Sequence, residues 1–344
     1  MSVTIKDIAK VCGVSPSTVS RVIADNPRIS QKTKKKVREA MKELGYHPNF
    51  NARSLVANST STIGIVMPRA SDEAFSHPFF PEVIRGISVA AHEKDYMILM
   101  TTGSTKDEQM EAVSKMVQGK RVDGIVLLSS IINDPFISML LEWNFPFVLI
   151  GSPAEKIDKV NYVDNDNIAA AKKATLHLIE KGHKRVAFIG GLKDLVVTKH
   201  RLEGYKQALE EANIDFDQSI TSYVDFRKEA GYQAINQLFE NKKPPTAILV
   251  TDDMIGFGVL TAIQEKGYKI PNDVAVVSFN NFTMAELSSP SLSSVDISIF
   301  QLGYQSAKRL FDLIKDSSLD PIGIEVPSKL VVRQSSKTIK KIYK

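Results

Sequence analysis

A chain of 344 residues has room for two or three domains, and its single cysteine, Cys12, rules out an internal disulfide or a multi-cysteine metal site. Net charge is +5 overall but unevenly placed: residues 1–60 hold eleven Lys/Arg against four Asp/Glu, so they carry +7 and the remainder −2. A positive field confined to one end suits phosphate binding. No apolar leader opens the chain, and no run reaches the ~18 residues of a membrane span, so a cytoplasmic protein is expected.

In chain order, Thr4-Ile5-Lys6-Asp7 reads as a capping-box variant opening a short helix, 5–11, with Ile8 and Val11 inward. Cys12-Gly13-Val14 forms a turn. Ser15 then caps a second helix with Pro16 at its first position, placing Val19, Val22 and Ile23 on one side and Ser17, Ser20 and Arg21 outward. A third helix, 31–44, is capped by Ser30, repeats Val37, Ala40, Met41 and Leu44, and closes at Gly45. Two short helices joined through a glycine turn are a helix-turn-helix, whose second helix enters the DNA major groove. A plain three-helix bundle would leave the outward polar residues unexplained. Lys34-Lys35-Lys36 is either a solvated face or a set of phosphate contacts. The connector 46–60 holds a helix signal at 50–56, capped by Asn49, with apolar Leu55 and Val56; two turns are too short to stand alone, so it needs a partner. A flexible linker is the alternative.

From Thr60 onward, β-branched runs alternate with amphipathic stretches. Strands are predicted at 63–67, 97–102, 124–128, 147–150, 186–189, 222–225, 247–251 and 275–278, with further strands near 322–333. Helices are predicted at 78–94, 106–117, 135–143, 167–181, 199–212, 228–240, 254–266 and 300–314. Such alternation makes doubly wound parallel sheets, and there are too many strands for one of them. Val163-Asp164-Asn165-Asp166 is the first expected crossing between lobes. Ligand candidates stand at strand ends: Phe75 and Phe79 in the loop 68–80, Asp164, Phe226, Asp252 and Asn280, with Arg201 near the start of the helix 199–212. Aromatic faces suit sugar C–H surfaces, and a guanidinium fork suits vicinal hydroxyls. Each also has a plainer reading, as lobe core, surface ion pair or helix cap.

Thr4-Ile5-Lys6-Asp7-Ile8-Ala9, Gly13-Val14-Ser15, Thr18-Val19-Ser20-Arg21-Val22 and Leu44-Gly45-Tyr46-His47-Pro48-Asn49 resemble the headpiece of the LacI/GalR family, and the similarity runs on to Arg333. The resemblance implies an all-α helix-turn-helix headpiece (1–46), a hinge-helix linker (47–60), an α/β core of two doubly wound parallel-sheet lobes of periplasmic-binding-protein type (61–334) and a basic tail (335–344). It divides the core into an N-lobe, 61–162 with 292–320, and a C-lobe, 163–291 with 321–334. DNA contacts implied are Thr4, Ser15, Pro16, Ser17, Thr18, Ser20, Arg21, Asn49, Ala52 and Leu55. Pro16, Ser17 and Arg21 would read bases, Ser15, Thr18 and Ser20 would hold phosphates, and Leu55 would wedge a minor-groove step. Arg201 matches the ligand-anchoring arginine, Asp252 a ligand-contacting position and Asp253 a structural one, while Asn280 departs from the usual aspartate.

His77-Pro78-Phe79-Phe80-Pro81, Gly119-Lys120-Arg121-Val122-Asp123-Gly124 and Val163-Asp164-Asn165-Asp166-Asn167 look most like maltose-operon repressors of Gram-positive bacteria, which implies maltose or a maltooligosaccharide as inducer. Partners implied are double-stranded operator DNA, the sugar and a second copy of the chain, since no leucine heptad for tetramers ends the sequence. No cofactor and no membrane are expected. Two rivals remain. An enzyme lacks its signatures here, as there is no phosphate loop, no dinucleotide loop spacing and no metal-spaced histidines. A global catabolite regulator of the same family would answer to a phosphorylated carrier protein instead.

Overall fold

The computed structural model describes residues 3–46, 59–68, 71–101, 103, 105–241 and 243–337. It divides into two units, Met1–Thr60 and Ser61–Lys344. In the first, helices Ile5–Cys12, Pro16–Ile23 and Gln31–Glu43 enclose Ile8, Ala9, Cys12, Val19, Val22, Val37 and Ala40. The Asp7 carboxylate accepts from the Thr4 backbone N–H at 2.9 Å and hydroxyl at 2.7 Å, and Gly13 ends the helix with φ 61°, left-handed geometry that costs glycine little. Ser15 Oγ accepts from Thr18 N at 3.2 Å.

Two expectations for this core are corrected. Val11 is 58% exposed, because the helix runs on to Cys12 and the inward stripe is Ile8, Ala9 and Cys12. Leu44 is likewise exposed, since it caps the third helix instead of completing its stripe. Lys34 is not a phosphate contact in waiting. It is buried and donates to Asp25 O at 3.0 Å and Oδ1 at 2.9 Å, with Arg38 on the same carboxylate at 2.6 Å.

The second unit holds two six-stranded sheets. The first lobe contains β1 (Thr62–Val66), β2 (Met97–Met100), β3 (Gly124–Leu127), β4 (Phe147–Ile150), β5 (Tyr162–Asp164) and β11 (Gly323–Glu325), in the order β11-β5-β4-β3-β1-β2. The second contains β6 (Val186–Gly190), β7 (Thr221–Tyr223), β8 (Ala247–Val250), β9 (Ala275–Phe279), β10 (Ser293–Asp296) and β12 (Lys329–Val331), in the order β12-β10-β9-β8-β6-β7. All pairings are parallel except β10 with β12. The central strands are buried throughout and apolar apart from Thr62 and Ser278, as suits strands covered by helices on both faces.

Helix packing relies on glycine at the closest approach. Phe79–Glu93 and Ile299–Lys315 meet where a Cβ on Gly303 would lie 2.1 Å from Val83 O, and one on Gly86 2.2 Å from Phe300 O. The helix around Arg201 begins at Val196, earlier than its pattern suggested. Short helices Ser71–Ser76 and Thr283–Leu287 carry too little periodicity to be read from sequence.

The lobes exchange chain three times, each time a few residues later than expected. β5 still belongs to the first sheet, β10 to the second and β11 to the first, so the crossings follow Asp164, Asp296 and Glu325. Assignments of 163–164 to the second lobe, 293–296 to the first and 323–325 to the second are thereby overturned, because hydrogen-bond registry places those residues in the opposite sheets. Nor is 335–344 wholly a tail: Ser335 and Ser336 are buried, with Ser335 Oγ donating to Val276 O at 2.6 Å.

Candidate functional site

On the helix-turn-helix unit, Ser15, Pro16, Ser17, Ser20 and Arg21 are exposed, as is Thr4, while Thr18 is half-buried. The Ser15 hydroxyl is within hydrogen-bond distance of Ser17 Oγ (2.8 Å) and Thr18 Oγ1 (2.9 Å), so one turn presents three linked hydroxyls beside Arg21. Val19 and Val22 face the core, leaving this polar side of Pro16–Ile23 open. Asn49, Ala52 and Leu55 lie outside the described residues.

In the two-lobed unit, strand ends open on a cleft of about 940 Å³. Phe79, Asp164, Arg201, Phe226, Asp252 and Asn280, all named from sequence, line it together. Phe75 does not. On Ser71–Ser76 it is Ala74 that turns inward, and Phe75 is 45% exposed away from the cleft lining. Phe80 lines the cleft as well, its ring edge-to-face with Phe79 at 5.3 Å.

Arg201 reaches the cleft from the second turn of Val196–Glu211. Its Nε donates to Asn167 Oδ1 at 2.9 Å, its Nη1 to Thr251 O at 2.6 Å, and its guanidinium carbon lies 4.0 Å from the Phe279 ring centre. Nη2 takes no part in these bonds. Burial pushes the guanidinium down to about 10, against the carboxylates of Asp164, Asp252 and Asp253. It is a pre-aligned cation, charged at neutral pH and held in place from behind.

Facing acids divide into two roles. Asp252 Oδ1 accepts from Met254 N at 2.7 Å, capping Asp253–Glu265, while Oδ2 accepts from Asn280 Nδ2 at 2.6 Å and sits 3.1 Å from His77 Nε2. With an aspartate at 280, two carboxylates would meet at that distance; the amide donates instead. Asp253 is 0% exposed and accepts from the hydroxyls of Ser278 and Ser294 and from Phe282 N. Burial raises its carboxyl to about 7 despite those donors. It braces the loop after β9 and does not line the cleft. Asp164 accepts from Ser152 N and Asn165 N, both at 2.8 Å, and burial also raises its carboxyl.

His77 is a cleft residue that no strand end marks in the sequence. It follows β1 in the first lobe yet meets Asp252 in the second, with Phe226 and Phe282 edge-to-face at 5.9 and 5.6 Å. Its Nδ1 is buried without a hydrogen-bond partner. Asn167, whose Oδ1 holds Arg201, was also missed as an individual side chain. Asn167 follows β5 closely in polar sequence, the signal that could have found it; His77 lies beyond the helix Ser71–Ser76 and has no such signal. Gly191 leaves the space that the Phe226 ring occupies, since a Cβ there would lie 2.1 Å from it. Among the described residues no group of three His, Cys, Asp or Glu is placed to hold a metal, and no helix is long and apolar enough to cross a membrane.

A helix-turn-helix with an open polar face, in one chain with a two-lobed core around a polar and aromatic cleft, defines a ligand-responsive DNA-binding transcriptional regulator. Residues 4–49 match the description of bacterial regulatory proteins of the lacI family, and residues 175–336 that of the periplasmic binding protein-like domain. Similarity to the HTH-type transcriptional regulator MalR of Streptococcus pneumoniae is 44% identity over 321 residues, 92% of this chain and 94% of that one. The chain belongs to the lacI family of bacterial regulatory proteins. Among solved structures, it resembles a transcriptional regulator CelR–cellobiose complex at 34% identity and TM-score 0.77, covering 97% of this chain and 99% of that one. It also resembles the probable maltose operon transcriptional repressor malR of Staphylococcus aureus at 29% identity and TM-score 0.73, covering 81% and 99%.

Proposed function

We propose that this protein represses genes for the use of maltose or maltooligosaccharides, binding its operator as a homodimer and leaving it when sugar fills the cleft. The observation that carries the reading is the convergence of a buried guanidinium, a carboxylate and an amide (Arg201, Asp252, Asn280) with the Phe79 and Phe226 rings on one cavity of about 940 Å³. That is the upper part of the size range of small-molecule sites, roomy enough for a disaccharide or longer. Hydroxyls take the polar groups and C–H faces take the rings. The resemblance to a probable maltose operon transcriptional repressor supports maltose as the sugar; the cellobiose complex of CelR supports a disaccharide in this kind of cleft.

On DNA, Arg21 donates to a guanine edge, Ser15, Thr18 and Ser20 hold phosphates, and the 47–60 linker carries Leu55 to the minor groove. Release requires only that sugar bind the DNA-incompetent arrangement a few kcal/mol better than the competent one.

The test is fluorescence anisotropy of a labelled operator fragment with the full chain, titrated with maltose, maltotriose, cellobiose and glucose. Release by maltose or maltotriose is expected. Release by cellobiose alone would reassign the sugar. Tighter binding with a phosphorylated carrier protein, and no response to any sugar, would make it a catabolite regulator. Sedimentation at the mass of two chains is expected, and incubation with maltose should leave the sugar intact.

A further inference from the structure

The three crossovers between lobes meet at one side chain. Asn165, 6% exposed, uses both hydrogens of its amide nitrogen: Nδ2 donates to Ile297 O at 3.0 Å and to Val326 O at 2.7 Å. Asn165 itself lies in the first crossover, Ile297 in the second and Val326 in the third. A planar amide fixes the directions of its two N–H bonds, so both carbonyls are satisfied over only a narrow range of angles between the lobes. The first and third crossovers are also tied by Val326 N donating to Asp164 O at 2.8 Å.

The same residue is joined to the cleft. Arg201 Nε donates to Asn167 Oδ1 at 2.9 Å, and Asn167 Nδ2 donates to Asn165 O at 3.2 Å and Asp164 Oδ1 at 2.9 Å. Asn167 N donates to Asn165 O at 2.8 Å. An unbroken run of hydrogen bonds therefore leads from the guanidinium, through Asn167 and Asn165, to the carbonyls of the other two crossovers. We propose that Asn165 is the positioning residue through which occupancy of the cleft sets the angle between the lobes. This rests on the function proposed above. A hydroxyl drawn onto Arg201 shifts Asn167, Asn165 follows, and the two carbonyls it holds carry the lobes with it. Asn165 thus acts through the backbone of the crossovers, and its removal is felt in coupling more than in binding.

Asn165→Ala removes both donors and Asn165→Ser keeps one. Maltose affinity is read by calorimetry, and operator affinity by anisotropy with and without maltose, on the full chain. For Asn165→Ala, maltose affinity and sugar-free operator affinity should each stay within about threefold of wild type, while the sugar-induced loss of operator affinity shrinks about tenfold or more. Asn165→Ser should fall between. Full release in Asn165→Ala overturns the inference, and so does a loss of release matched by an equal loss of maltose affinity. Wild type that ignores every sugar defeats the proposed function itself. Should Asn165→Ala not fold, the side-chain amide of Asn165 in ¹⁵N-labelled wild type decides: its two proton signals should shift when maltose binds, and unchanged signals overturn the inference.

Discussion

Arg201→Met separates binding from folding. Holding the guanidinium charged where burial lowers it to about 10 costs the core about 3 kcal/mol. Removing it relieves that cost, while Asn167 Oδ1 and Thr251 O lose their donors, at roughly 1–3 kcal/mol each. Loss of the contact with the Phe279 ring adds about 1 kcal/mol. Methionine keeps most of the stem volume and adds no polar group. The net change is then roughly 0–4 kcal/mol of destabilisation, so the variant should fold and melt several degrees lower. Binding has no such compensation: each hydrogen bond from a charged donor to a sugar hydroxyl is worth about 1.5–3 kcal/mol. Calorimetry with maltose should show affinity down about 10- to 100-fold for each such bond lost, with sugar-free operator binding unchanged. Maltose binding within a few-fold of wild type would refute the assignment of Arg201, and a variant that does not fold would refute the cancellation.

Asp253, raised to about 7, binds its proton more tightly in the fold than in the unfolded chain. Its stabilising contribution is complete below the ordinary carboxylate pKa and is lost as pH rises to about 7, at no more than about 1.4 kcal/mol per pH unit. Thermal melts from pH 5 to 8 should show wild type losing stability relative to Asp253→Asn, and parallel profiles would contradict this. Arg21→Ala should weaken operator binding about 10- to 100-fold and lower discrimination at one base pair, with maltose calorimetry unaltered. Leu55→Ala should reduce operator affinity and spare sugar affinity, measured by the same two assays. Gly303→Val drives a side chain toward Val83 O, where even a Cβ would be 2.1 Å away, and should cost at least about 2 kcal/mol in urea denaturation.

Much of this protein was legible in the one-dimensional pattern. The three headpiece helices, their caps and the outward face of Ser17, Ser20 and Arg21 follow from rules spanning three or four residues. The β-branched runs located most strands, and the polar residues after them included Arg201, Asp252 and Asn280. Val11 and Leu44 were misjudged because a helix end one residue away decides which side chain turns inward. Phe75 failed for a different reason: it stands on a helix too short to show a period.

Relations between distant segments are set only by the tertiary structure. His77 meets Asp252 from 175 positions away, and Asn165 holds carbonyls 132 and 161 positions further on. The lobe crossings moved by a few residues because β5, β10 and β11 are three or four residues long, and their sheet is chosen by the neighbour whose hydrogen bonds they complete. Local periodicity reports which face of an element is buried. It holds no information about which distant donor and acceptor will share that burial, and in this protein those shared bonds bridge the cleft and bind the crossovers together.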